Sequence, residues 1–540
     1  MLLKGPNLNP GNLPPGRRPQ AILPLFSVRS FFFIPIFLLG RLAAADRAAE
    51  SAASPAPVVR LDERRAVELA LGKTLSIKLG LLQREGDRFS LRVARQQLRP
   101  RVDFASTSGQ TRTLSNAEDE DPRLQADRAA TTYGPQVTWR VPTGGEFSYS
   151  WNTSLGVARE TVDDFRGDRS TTLETGWTVS LSQPLLRGGG WTVGRSGVKQ
   201  AEIADRLSQL NLRATVIGAV NEVLGAYRTF VQAKEAASIA RLSLGRGKHT
   251  LEVSRELLDA GRISRSEGTQ AEAEVAGREL ALITAVNAED SSRLKLARLL
   301  DQPSSVQFEV QPPEKVERVT AQVGTALAIA YRSRIDFSAS QLDGEAAKLG
   351  LAVARNSQLW DLRLAATRTQ SSLHNATSSF QTAYDGLRRP DKQETFVGLT
   401  LKVPLWGDLE RRQALLSANI AVRQHALRHE NLRQDIESQV IDRIRNLEAA
   451  GKFLEIARQS RELAAKAVDD ESFRFRSGLS SILNVARLED GFVSAQMGEL
   501  GALLGYLNAV TGLDETLGMT LQTWRVTLDS DQEDRPKISP

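Results

Sequence analysis

The 540-residue chain contains no cysteine, which excludes disulfides, thiolate metal sites, a cysteine nucleophile and a lipid-modified N-terminal cysteine. Four histidines leave few candidates for acid–base chemistry. Long apolar runs are also missing. The one strong run, Phe31-Phe32-Phe33-Ile34-Pro35-Ile36-Phe37-Leu38-Leu39, falls well short of the ~20 residues a membrane-spanning helix needs. Arg17, Arg18 and Arg29 precede it and Ala43-Ala44-Ala45 follow, so residues 1–45 are expected to be a secretory signal peptide cut after Ala45. Strong net charge is lacking as well. The five leader cations (Lys4, Arg17, Arg18, Arg29 and Arg41, with no acid) reduce the formal +6 to +1 for the remainder. Nothing in that balance predicts a basic nucleic-acid-binding face.

Proline is absent from Arg195 to Gln302 and again from Leu405 past Gly478. In the first stretch Leu207, Leu210, Ala214, Ile217, Val220, Leu224, Tyr227 and Val231 recur at three- and four-residue steps, the face of one helix. At about 1.5 Å per residue, Arg195 to Ala260 predicts a rod of roughly 100 Å. The rod breaks at Gly261, where a glycine suits a left-handed C-terminus. Ser264 and Glu267 then form an S-x-x-E capping box for the next helix. Upstream, a helix capped by Asp62 is expected to run to about Gln97.

Between these helices the periodicity falls to two. Alternation predicts strands over about 101–112 and 174–183, a hairpin over about 135–153 with its turn at Pro142-Thr143-Gly144-Gly145, and later strands over about 361–370 and 394–403. The acidic stretch Glu118–Asp127 is expected to be an exposed loop. Six of the seven tryptophans (139, 151, 177, 191, 360 and 406) fall in or beside these strands.

The whole order occurs twice. Val93-Ala94-Arg95 matches Val353-Ala354-Arg355 at an offset of 260, and Ala66, Leu69 and Ala70 fall on Ala326, Ile329 and Ala330. Pro184-Leu185 matches Pro404-Leu405 at 220. Arg195, Ile203-Ala204 and Gly261 match Arg412, Ile420-Ala421 and Gly478 at 217. Register held over such distances marks a duplication. The expected organisation is a signal peptide (1–45), a linker (46–60), a first repeat (61–302), a linker (303–319), a second repeat (320–515) and a polar C-terminal tail (516–540). The first repeat carries about 40 extra residues between its strands, including the hairpin.

A few strands per chain leave sheet edges open, and aromatic-flanked strands suit a membrane barrel. This order of elements resembles the TolC-type outer-membrane efflux proteins. The resemblance rests on the duplication, on Ser182-Gln183-Pro184-Leu185-Leu186-Arg187-Gly188 with its echo Val403-Pro404-Leu405-Trp406-Gly407, and on the paired Gly261 and Gly478 breaks. It spans about residues 60–515. It implies a mainly α fold with a small membrane β-barrel portion, in which a homotrimer builds an α-helical tunnel and one shared barrel. It further implies a passive exit duct in the outer-membrane lipid, not an enzyme and without a cofactor. A periplasmic adaptor and an inner-membrane transporter, of an efflux or type I secretion system, would complete the conduit. Adaptor docking would fall on the hairpin tips, Gly261, Arg262, Ile263 and Ser264 with Gly478, Leu479 and Ser480. The periplasmic aperture would carry Ser266, Glu267, Phe475, Asn484 and Arg487. Phe475 and Ser480 replace the family's tyrosine and arginine, and Asn484 and Arg487 stand where its ring aspartates are. A basic constriction from Arg487 would favour anions; the competing expectation pairs Arg487 with Glu489 or Asp490. The competing reading of the whole chain, a periplasmic coiled-coil scaffold without a pore, has no use for the strands.

Two further motifs carry little. Gly245-Arg246-Gly247-Lys248-His249-Thr250 resembles a phosphate loop but lies mid-helix with Leu242 where the leading glycine belongs. His425 and His429 have metal-binding spacing without a third ligand, and an exposed helix face is expected there.

Overall fold

The two proline-free stretches become two rods, and the rest of the chain is arranged along them. The computed structural model describes residues 58–115, 124–162, 165–167, 169–310, 318–375, 381, 384–385, 388, 390–477, 479–528 and 536–538. The expected signal peptide, most of the linker after it, and Gly478 lie outside these residues. The first repeat comprises β1 (Val58–Arg60), α1 (Glu63–Lys73), α2 (Leu75–Gln96), β2 (Arg101–Ser115), β3 (Leu124–Arg140), β4 (Glu146–Val162), β5 (Phe165–Arg166) and β6 (Ser170–Pro184), then α3 (Trp191–Gly194), α4 (Ser196–Asp259) and α5 (Arg265–Leu299). After β7 (Gln307–Glu309), the second comprises α6 (Val323–Ser333), α7 (Ile335–Ser357), β8 (Asp361–Asn375), β9 (Lys392–Lys402), α8 (Leu409–Arg476) and α9 (Ile482–Leu517). The chain closes with α10 (Thr520–Thr523), β10 (Val526–Leu528) and β11 (Pro536–Ile538). With 64 and 68 residues, α4 and α8 are each about 100 Å long.

Asp62 caps α1 as the sequence predicts, accepting a hydrogen bond from the Arg65 backbone N–H at 2.6 Å. The expected single helix to Gln97 is instead two, because the backbone bends at Thr74 (ψ 132°). Arg334 bends equally (ψ 132°) between α6 and α7, 260 residues later. Each bend accommodates the end of another helix. The Thr74 hydroxyl donates to the Leu299 carbonyl at 3.4 Å where α5 stops, and Lys78 pairs with Asp301 at 3.2 Å. Arg334 donates to the Thr516 carbonyl at 3.2 Å where α9 stops. There Gly518 has φ 72°, and a Cβ on it would sit 2.7 Å from the Ser333 carbonyl. So α2 with α5, and α7 with α9, form two composite columns beside the two rods.

The principal cores sit at these junctions. Ala66, Ala70, Val223, Tyr227, Phe230, Leu296 and Phe308 close the first, and Ala326, Ala330, Ile436, Val440, Ile444, Tyr506 and Leu513 close the second. The buried stripe of α4 is Leu212, Val216, Val220, Val223, Leu224, Tyr227 and Val231; Ala214, expected inside, faces out, and Leu207, Leu210 and Ile217 are half-buried. The stripe shifts because α4 touches α1, α2, α5, α7 and α9 rather than one partner. Burial and the nearby Glu63 and Asp62 carboxylates push the Tyr227 phenol up to about 12.

Described parts of both expected linkers form short strands. β1 and β7 pair in parallel, and β11, within the expected tail, pairs with β10. The main sheet runs β2-β3-β4-β6-β8-β9, antiparallel throughout, with the two-residue β5 on β4. β3 begins at Leu124, inside the stretch expected to be a loop; residues 118–123 of it lie outside those described. There Asp127 is matched by Arg112 of β2 at 2.6 Å, which offsets its charge within the strand.

Arg228 binds the repeats together. Almost fully buried on α4, it pairs with Glu63 at 2.8 Å and donates to Asn508 and Thr511 of α9, each at 2.9 Å. Hydrogen bonds of this charged kind contribute about 1.5–3 kcal/mol. Arg228→Met is expected to lower stability by about 2–3 kcal/mol, read as a fall in melting temperature; an unaltered melt would show that the network contributes nothing.

Candidate functional site

Both long rods turn back at hairpin tips. At the first, the Arg262 N–H donates to Leu257 O (2.8 Å) and the Gly261 N–H to Leu258 O (2.9 Å), the two bonds that close a helix through a left-handed residue. Gly261 supplies that residue at φ 68°. The capping box forms in both directions: Ser264 Oγ accepts from the Glu267 N–H at 3.4 Å, and Glu267 accepts from the Ser264 N–H at 2.9 Å. Ser266 lies beside it, its hydroxyl 2.7 Å from that of Ser264. Arg262 is exposed and Ile263 half-buried.

The second tip is built differently. The Leu479 N–H donates to Arg474 O at 2.9 Å, repeating the longer closing bond. Ser481 takes the N-cap conformation without a side-chain cap bond, and Asn484 stands where the first tip has the glutamate that completes its box. Ser480 instead donates to Glu471, and Asn484 reaches Ser480 at 3.4 Å. Leu479 (72% exposed), Leu483 (56%) and Phe473 (68%) present apolar surface around this tip.

The tips are joined by a small core. Phe475 is buried with Ala271, Ile482 and Val485 against Leu251, Val253 and Leu257. It therefore packs between hairpins within the chain, whereas Ser266, Asn484 and Arg487 are exposed. The alternative pairing of Arg487 is absent among the described residues, because Glu489 and Asp490 face Arg278.

That arginine centres a cluster the sequence reading missed. Arg278 of α5 is 7% exposed and binds the buried Glu489 of α9. It also donates to Glu274 at 3.0 Å and to the Ser243 carbonyl of α4 at 3.1 Å. Arg246 approaches Glu489 at 3.9 Å and lies 5.4 Å over the Phe492 ring. Burial disfavours the Arg278 charge, but bonds to Glu489 and Glu274 outweigh it and hold the guanidinium above its ordinary pKa. Burial, reinforced by Glu274, pushes the Asp490 carboxyl up. The glycine-rich stretch on α4 now has a structural role: a Cβ on Gly247 would lie 2.8 Å from Arg278 Cδ. The Arg278–Glu489 separation of 211 residues explains why no local pattern signalled it.

His425 and His429 are half-buried, not on an open face. They stack 5.9 Å apart over α7, with His429 Nδ1 2.9 Å from Ser340 Oγ and His425 Nε2 2.7 Å from the Ser340 carbonyl. Among the described residues no group of three metal-type ligands gathers.

The described elements define a TolC-like fold: duplicated, mainly α, with four helical columns joined to an antiparallel sheet. A model of the outer membrane efflux protein family matches residues 150–302 and 327–519, more than half of the chain, and the chain belongs to that family. No curated protein matches the sequence. Among solved structures, a membrane protein from Pseudomonas aeruginosa superposes with a TM-score of 0.63 at 16% identity, covering 86% of this chain and 91% of that one. The Campylobacter jejuni CmeC outer membrane channel gives 0.63 at 15% identity over 85% and 86%. The open-state Neisseria gonorrhoeae MtrE outer membrane channel gives 0.61 at 17% over 85% and 89%.

Removing one partner of a buried ion pair costs about 3–5 kcal/mol, whereas replacing both with apolar groups is often neutral. Glu489→Gln is therefore expected to destabilise by about that amount, and the double variant Arg278→Met, Glu489→Leu to recover most of it. Equal losses in both variants would show that packing, not charge, dominates the cluster.

Proposed function

We propose that three copies of this chain form an outer-membrane exit duct, a passive conduit through which an inner-membrane transporter of an efflux or type I secretion system expels its substrates. The observation that carries this reading is the sheet. Its edges β2 and β9 are long, carry no further strand partner among the described residues and are joined directly to the helical columns. Backbone groups on such edges must be paired inside lipid, so the sheet has to close on further copies of itself.

One face of the sheet supports lipid as its surroundings. Because directly opposed residues share a face, the register aligns Val102, Val137, Tyr149 and Val179, and it aligns Leu362 and Leu364 with Leu401 and Leu399. Trp139, Phe147 and Leu181 belong to the same face. The opposite face carries Thr138, Ser148, Ser180, Thr367 and Thr400, with Ser148 and Ser180 hydrogen-bonded at 2.6 Å. Trp139, Trp191, Trp360 and Trp406 are exposed where strands meet helices, the place of an interfacial aromatic girdle. No helix among the described residues is long and apolar enough to cross a membrane.

A periplasmic adaptor would dock on the tips. Leu479, with the adjoining Leu483 and Phe473, offers the apolar anchor, and Gly261, Arg262, Ile263, Ser264 and Ser480 the surrounding turn surface; Gly478 is assigned to the same contact from the sequence alone. Arg487, exposed three residues after Asn484, would line the aperture in threefold copy and favour anions. The protein should fractionate with the outer membrane and migrate as a heat-modifiable trimer. Gly478→Val should leave those trimers intact but abolish most transport; full transport in that variant would sink the docking assignment. Arg487→Ala should reduce anion preference in single-channel recordings, and an unchanged reversal potential would remove the basic constriction.

A further inference from the structure

We infer that the β3–β4 hairpin is part of the channel wall, so that each chain contributes six strands and the closed trimer is an eighteen-stranded barrel as wide as its helical tunnel. The inference rests on the trimeric reading above, but its evidence lies within one chain.

The second repeat supplies two strands to the sheet, β8 and β9, and the first supplies four, β2, β3, β4 and β6. The hairpin is neither a flap nor an appendage. β3 pairs with β2 over fifteen residue pairs, from Arg101↔Thr138 to Ser115↔Leu124. β4 pairs with β6 from Glu146↔Ser182 to Ala158↔Ser170. Without β3 and β4, β2 and β6 would be neighbours of opposite direction, so the hairpin has entered the sheet between them without reversing any other strand.

Its pattern matches the wall on both sides. Tyr133, Val137 and Trp139 of β3 and Phe147, Tyr149 and Trp151 of β4 extend the apolar face of β2 and β6 without a change of phase. Further along that face β4 and β6 stay matched row by row, Thr153 opposite Thr175 and Leu155 opposite Leu173, while Arg368 of β8, opposite Val179, is a charged residue on it. The turn is also tied to the strand–helix junction. Thr143 Oγ donates to Gln183 at 2.8 Å, and the Gly190 N–H donates to the Thr143 carbonyl at 3.0 Å. Gly144 (φ 91°) and Gly194 permit this approach, since a Cβ on either would collide with backbone, at 2.1 Å from Gly188 O and 2.2 Å from Pro142 O respectively.

The widths agree. Strands about 4.8 Å apart and tilted about 40° each take up roughly 6.3 Å of circumference. Six strands then span about 38 Å, and four would span about 25 Å. Four helical columns at about 8–10 Å span roughly 32–40 Å. The six-stranded sheet thus continues the arc of its own tunnel, giving a barrel about 36 Å across between backbones rather than about 24 Å. The membrane segment then forms no neck, and the size limit on permeants falls to the hairpin tips.

Absence of cysteine makes the test direct. Single cysteines are placed at Ser148 and Tyr149 on β4, and at Ser180 and Val179 on β6, in full-length protein reconstituted in phosphatidylcholine vesicles. Ser148→Cys and Ser180→Cys should react with a charged methanethiosulfonate at least tenfold faster than Tyr149→Cys and Val179→Cys. A fluorophore on the latter two should be quenched by a lipid-confined nitroxide. Thr138→Cys and Val137→Cys on β3 give the same comparison should a β4 variant fail to insert. Alternation at 179/180 but not on β3 or β4 would overturn the inference and leave the trimeric duct standing. Loss of alternation at 179/180 as well would overturn both.

Discussion

The backbone hydrogen bonds of β2 and β9 are the constraint on which the rest depends. A sheet edge of this length cannot be left unpaired in lipid, and burying it against a helix is not available where the strands stand clear of the bundle. In the proposed trimer, closure by identical copies satisfies every edge with one repeated contact. It also fixes the rotation between copies, and with it the ring in which the four helical columns must stand. The helical part is therefore not free to choose its own curvature; its width per chain has to match the width of the strands above it.

The duplication meets that demand economically. Two rods run the full length, and two composite columns match them because each short helix stops against a bend in another, at Thr74 and at Arg334. The bends are equivalent in the two repeats, yet Thr74 is held by a hydroxyl bond to a carbonyl and Arg334 by a guanidinium bond to one. What the repeats preserve at this point is the geometry of abutment, with different side chains meeting it. Arg228 then crosses between repeats close to the first junction, so the columns are tied together at mid-height as well as through the sheet.

Much of this was legible in the sequence because it is local. The Gly261 turn, the Ser264–Glu267 box and the Asp62 cap are each specified within a few residues, and the strands by alternation. Contacts between distant segments were not legible. Neither Thr74 nor Arg334 is a helix breaker by composition, and only the abutting helix end explains the bend. The buried side of α4 was misjudged between Leu210 and Leu212 because a helix with several neighbours has a wide stripe whose centre no single period defines. Leu124 to Asp127 read as a loop because this end of β3 carries charge on the face that is apolar nearer the helices, and the pairing of Asp127 with Arg112 is visible only once β2 lies beside it. At the candidate site the turn was readable. The burial of Phe475 and the partner of Glu489 were not.

The position of the Arg278 cluster bears on how the tips could move. Among the described residues, the hairpin ends share a small apolar core around Phe475, and beside that core sits a buried ion pair. Apolar contact tolerates sliding, since its energy depends on area and not on direction. A buried charge pair does not, because separating the partners leaves each desolvated and unpaired. The combination places a directional constraint behind a slippery one. A rearrangement confined to the tip below Glu489 would leave that pair, and the register of the columns above it, intact. Gly247 sharpens this division, since the missing side chain lets α4 lie close enough for Ser243 to accept from Arg278. Any widening of the mouth that draws α9 away from α5 must break the pair, whereas one that only reorders Leu479, Ser480 and the first turn of α9 need not.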